Sequence, residues 1–159
     1  MLLVIPFGFI MMRLPSGPGQ DQLFDLHRSF GFLILCLAVV RVATRLLLGA
    51  PPPAPGLPAW QRVLSNAVHH SLYVLIFVMP LLGWGASSAF GAKVSVFGLF
   101  TLPDLVAKDE ALSHTLGDAH SVLGYVMTAL VLLHIGGALM HAVKGDGVIS
   151  RMIPALGRR

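Results

Sequence analysis

From Ala119 to Val143 the chain carries no aspartate, glutamate, lysine or arginine. Coiled as an α-helix at about 1.5 Å per residue, that run reaches ~37 Å. The hydrocarbon core of a bilayer is about 30 Å thick. Lipid offers no partner to backbone amides, so a run of this kind crosses as a helix that satisfies its own hydrogen bonds. Yet it holds His120, His134 and His141. His120 and His134 are fourteen positions apart, which is ~21 Å along a helix axis and within roughly 40° of one direction. One spanning helix therefore presents an imidazole near each side of the bilayer on a single face. Ionisable groups at such depth are costly and usually functional.

Composition agrees. Of 159 residues, 55% are hydrophobic and 11% charged, whereas soluble domains carry about 25% charged residues. Four apolar segments divide one membrane domain spanning 1–159, with helices expected at about 1–14, 23–48, 61–88 and 113–143. The fold class is an all-α transmembrane four-helix bundle whose first helix is short or truncated. Met1–Met12 reaches only ~18 Å as a helix. It lacks the basic start and small-residue cleavage site of a signal peptide, so the expectation is a chain that begins partway through its first helix. Pro80 with Gly83 and Gly85 predicts a kink or an early end in the third helix.

Charge sets an expected orientation. Arg41, Arg45 and Arg62 flank the Pro51–Pro58 stretch, and Lys144, Arg151, Arg158 and Arg159 follow the fourth helix, with Asp146 alone opposing them. The other side carries four basic residues against six acids. The positive-inside rule then puts the proline-rich loop and both termini in the cytoplasm of a bacterial inner membrane. The basic residues flank apolar segments and form no patch interleaved with aromatics, so the partner is membrane lipid and not nucleic acid. There is no glycine-rich phosphate loop, no Gly-x-Ser-x-Gly elbow and no cysteine cluster. The single cysteine, Cys36, reads as a small core residue.

In this orientation His27 and His120 fall at the same outer depth. Each is followed four residues later by glycine, Gly31 and Gly124, which leaves room for a flat macrocycle against the backbone. Imidazole is a common axial ligand of haem iron, and without a CxxCH motif any haem is held non-covalently, as haem b. His27 and His120 are the expected axial ligands of an outer haem; the bland reading is two interfacial histidines. His134 lies deeper and suits an inner haem. His69 and His70 have three readings: one replaces a missing haem ligand, one binds a quinone carbonyl, or both are polar residues at a helix mouth. His141 shares the face of His134, for a quinone pocket, a propionate or a plain interfacial role. Arg41 and Arg45 either neutralise propionates of the inner haem or anchor the helix by snorkelling. His114 reads as solvated. Trp60, Trp84 and Tyr73 need only interface or core packing.

These residues resemble the bacterial cytochrome b561 family over nearly the whole chain. The match runs from Leu2-Leu3-Val4-Ile5 through the His27 segment ending at Arg41, and His69 eleven residues before Pro80. It continues with His120, His134 and His141 and ends at Arg151-Met152-Ile153-Pro154. The resemblance implies two haems: one on His27 and His120, the other on His134 and a first-helix histidine that would fall a few residues before Met1. It places His69 and His141 near a ubiquinone site. It implies transmembrane electron transfer from a one-electron donor at the outer face to ubiquinone; some members oxidise superoxide. Arg28 with Lys93 or Lys108 could steer that anion, against an outer face that is net negative. The alternatives are a haem-bearing anchor subunit that takes electrons from a soluble dehydrogenase or hydrogenase, with no activity alone, and a metal-ion permease using the same histidines.

Overall fold

The computed structural model describes residues 1–49 and 57–148. The chain order is α1 (Val4–Met11), α2 (Pro18–Leu48), α3 (Ala59–Phe90), β1 (Ser95–Val96), β2 (Phe100–Thr101) and α4 (Glu110–Lys144). Most of the Pro51–Pro58 loop and the tail holding Arg151-Met152-Ile153-Pro154, Arg158 and Arg159 lie outside the described residues.

Helix α1 has only 8 residues, while α2, α3 and α4 have 31, 32 and 35. Among the described residues those three are long and apolar enough to cross a membrane. Local chemistry fixes their ends and makes each longer than its apolar run. Gly17 (φ 154°) leads into Pro18 at the first helical position, where the missing N–H costs nothing and the fixed φ is already helical. α2 thus starts five residues before Leu23. Asp109 caps α4 by accepting from the Leu112 N–H at 3.0 Å, the usual role of an aspartate at that place. α3 does not end early: it runs through Pro80 to Phe90 and stops at Gly91 in the left-handed region (φ 89°).

α3 and α4 pack as an antiparallel pair; α1 lies on α2 and α2 on α3. Few side chains are buried, and Leu46, Leu47 and Leu48 are 80–85% exposed. Such a surface would not persist in water and is what a lipid-facing bundle needs. Cys36 belongs to it. It is exposed, so the expectation of a core cysteine is corrected: its side chain shares the outward apolar surface of α2 with Leu33 and Leu37.

At the end where α2 begins and α3 ends, the connection from α3 to α4 contains a small capping hairpin. β1 and β2 are antiparallel, with Ser95 opposite Thr101 and Val96 opposite Phe100. Val94, Val96 and Leu102 form a cluster under it with Phe32 and Trp84. The buried Ser29 of α2 holds it down: its hydroxyl donates to the Ser95 carbonyl (3.2 Å) and accepts from the Phe97 N–H (2.8 Å). The Trp84 indole N–H donates to the Pro103 carbonyl at 3.0 Å.

Candidate functional site

His27 of α2 and His120 of α4 face each other beneath this hairpin, ring centroids 6.0 Å apart and planes at 78°. Each ring is anchored by a third and fourth helix. Nδ1 of His27 lies 2.9 Å from the Val4 carbonyl of α1, and Nδ1 of His120 lies 3.0 Å from the Met79 carbonyl of α3. A carbonyl only accepts, so each Nδ1 carries the proton and each Nε2 keeps a free lone pair.

One glycine makes each contact possible. Residues four apart sit above one another on a helix, and Gly8 follows Val4 by four as Gly83 follows Met79. Each imidazole crosses the bare backbone of the glycine to reach the carbonyl one turn below. A Cβ on Gly8 would come within 3.0 Å of His27 Cε1, and one on Gly83 within 3.1 Å of His120 Cε1. From sequence Gly31 and Gly124 stand out as the haem-side glycines, Gly83 only as part of an expected kink with Pro80, and Gly8 not at all. A glycine four residues past a carbonyl is a faint signal until the partner helix is known.

Between the rings lies a cavity of about 300 Å³. Gly8, Gly31, Gly83 and Gly124 all line it, with Leu35, Ile76, Trp84 and Met127 among its apolar walls and Arg13 and Arg28 as its cations. No atom lies within 4 Å of a Cβ built on Gly31, and only Met79 Cε approaches one on Gly124. The side chains leave this space open and its walls are mostly apolar.

The fit to a metal can be tested by length. An imidazole nitrogen sits about 2.0 Å from a bound metal. Adding the half-width of each ring, two imidazoles on opposite sides of one ion need centroids about 6 Å apart. The observed 6.0 Å meets this. No cluster of three or more His, Cys, Asp or Glu able to hold a metal is found among the described residues. Two nitrogens are a poor cage for a bare ion but a complete axial pair for iron whose other four ligands come with a porphyrin.

The second group of histidines lies towards the far end of the bundle. His69 of α3 and His134 of α4 have ring centroids 5.2 Å apart, planes at 68°. Its neighbour His70 turns away, its Nδ1 2.6 Å from the Asn66 carbonyl of its own helix. Arg41 donates from Nε to the Tyr73 hydroxyl at 2.8 Å, and both Arg41 and Arg45 lie over the Tyr73 ring, 5.6 and 5.7 Å from its centroid. Tyr73 is one turn from His69, so these residues gather at one level. Nδ1 of His141 lies 2.5 Å from Oδ2 of Asp146. His114 is solvated at the other end, 77% exposed and 3.9 Å from Glu110.

Comparison with known proteins gives the same picture. The chain is 32% identical to cytochrome b561 homolog 2 of Escherichia coli (strain K12) over 130 residues, 81% of this chain and 69% of that protein. It is 25% identical to cytochrome b561 homolog 1 of the same organism, over 96% of this chain and 90% of that one. It is 28% identical to the probable superoxide oxidase CybB of Yersinia pestis, covering 97% and 88%. The family model described as prokaryotic cytochrome b561 matches residues 1–155. Facing imidazoles on apolar helices, a glycine-walled cavity and a match along nearly the full length lead to one conclusion: the chain belongs to the prokaryotic cytochrome b561 family, multi-pass membrane proteins that bind b-type haem and transfer electrons.

Proposed function

We propose that this protein carries electrons across a bacterial inner membrane, from a one-electron donor at the hairpin-capped face to ubiquinone near the opposite face. The observation that carries this reading is the outer pair: two imidazoles at bridging distance, each with Nδ1 tied to a backbone carbonyl. His27 and His120 would hold a haem b through Nε2. Bound there, the haem would supply a one-electron iron couple. The Val4 and Met79 carbonyls orient the rings and raise their basicity. The apolar walls exclude water. Arg13 and Arg28, at the cavity's polar edge, neutralise propionates or draw in an anionic donor.

His134 would hold an inner haem, with His69 near it on the facing helix, ring centroids 5.2 Å apart. Arg41 and Arg45, gathered on Tyr73, are suited to its propionates. His69 and His141 would flank the quinone. The similarity to a probable superoxide oxidase favours superoxide as the donor, and activity of the chain alone separates this reading from an anchor subunit.

The test is haem per polypeptide and quinone reduction in the purified protein. We expect His120→Ala to lose the outer haem and all donor-driven quinone reduction, and His114→Ala to keep both. A full haem complement in His120→Ala, or superoxide consumption indifferent to added quinone, would overturn the assignment.

A further inference from the structure

The fourth helix ends in a turn that folds a carboxylate back onto a histidine. Gly145 (φ 65°) closes α4, its N–H reaching the carbonyls of His141 and Ala142. Gly147 (φ 78°) bends the chain again. Only glycine takes such angles readily, and the two together return Asp146 to the last helical turn. Oδ2 of Asp146 meets Nδ1 of His141 at 2.5 Å, while Oδ1 accepts from the Val148 N–H at 3.2 Å. Both carboxylate oxygens are thus committed. His141 has only 13% of its side chain exposed, and it lies two turns beyond His134 on the same face.

We propose that Asp146 positions His141 as the proton donor to the quinone. This rests on the quinone reading given above and names the residue that makes its protonation possible. A quinone becomes a quinol by taking two electrons and two protons, each carbonyl oxygen gaining one O–H bond. The electrons come from two molecules of the one-electron donor, each oxidised once. A proton leaves Nε2 of His141 as the quinone O–H bond forms, and water at the membrane surface returns it to the ring. The second oxygen is protonated in a second round. Asp146 accepts from Nδ1 throughout, which holds the ring with Nε2 turned away from the turn and stabilises the imidazolium between transfers.

The charged surroundings support the pairing. The His141 hydrogen bond is the main cause holding the Asp146 carboxyl below its usual range, with its charge and that of Lys144 adding to it. On α3 the antiparallel register set by Met79 with His120 and His69 with His134 brings Arg62 to the height of His141. Arg41 and Arg45 are engaged with Tyr73. Asp146 is therefore the acid that serves this end of α4 among the described residues.

The experiment uses the haem-loaded protein in detergent, reduced beforehand and mixed rapidly with a short-chain ubiquinone, haem reoxidation being followed from acid to alkaline pH. Asp146→Asn should slow reoxidation about tenfold. Its pH profile should also differ from that of the wild type, because the ring then lacks the carboxylate that holds it. Asp146→Glu should restore both. An Asp146→Asn protein with normal haem, normal rate and an unmoved pH profile overturns the proposal. If that variant does not hold haem, His141→Gln takes its place, and an unaltered profile there overturns it equally. A wild-type rate flat across the whole pH range overturns it with no variant at all. Wild-type protein whose reduced haem ignores ubiquinone is a different result: it defeats the quinone reading itself.

Discussion

Gly83→Val would set two methyl groups where a Cβ alone already comes within 3.1 Å of the His120 ring. The ring cannot retreat without leaving the Met79 carbonyl, so the substitution forces a choice between hydrogen bond and overlap. We expect Gly83→Val and Gly8→Val each to lose most of the outer haem, measured as the reduced-minus-oxidised absorbance per polypeptide. Gly19→Ala is the matched control: nothing lies within 4 Å of its Cβ, and in the first turn of α2 it should keep haem content unchanged. Residue identity mattered in the sequence where chemistry is rare in lipid. Seven histidines in so apolar a chain could be read at once. Glycine was harder, because 17 glycines look alike until a neighbouring helix supplies the side chain each must admit.

At the scale of elements, the hairpin is the part the sequence concealed. Two strands of two residues each give no periodicity to detect. What forms them is the tertiary apolar cluster of Val94, Val96 and Leu102 against Phe32 and Trp84. Ser29 is their one polar anchor on α2. Ser29→Ala removes a donor from the Ser95 carbonyl and leaves the Phe97 N–H unpaired in a part-buried place. An unsatisfied buried group costs about 1–3 kcal/mol, so the variant should melt at lower temperature in detergent while keeping its haem spectrum before melting. No loss of thermal stability would mean that the hairpin is held by its apolar contacts alone. The helices themselves were legible from their apolar runs, and their extra turns came from caps: Pro18 at the start of α2, Asp109 at the start of α4.

The whole molecule is asymmetric in charge. Arg41, Arg45, Arg62 and Lys144 lie at the end of the bundle where α2 and α4 finish and α3 begins, while Asp21, Asp25, Asp104, Asp109 and Glu110 lie at the hairpin end. Basic residues near span ends resist translocation. A reporter fused to the C-terminus should therefore be active only in the cytoplasm, and one placed in the hairpin at Gly98 only outside. The reverse pattern would invert the direction of electron flow proposed here. Orientation in this sense is an expectation the sequence supplies, since it depends on counting charges beside spans and not on how the spans pack.

By itself the sequence determined that this chain lives in lipid, that it does so as helices, and that His27 and His120 share a depth. Those follow from hydropathy and a fixed rise per residue, which any helix obeys whatever surrounds it. Only the packed structure decided which imidazole of α3 meets His134. His69 and His70 are consecutive and chemically identical, yet successive residues point about 100° apart on a helix, and the rotation of α3 against α4 turns the first towards His134 and the second back to Asn66. The same rotation chose Gly83 to admit His120, and the twin glycine turn brought Asp146 to His141. Contacts between helices depend on the azimuth of each, and azimuth is set by the fit of neighbours.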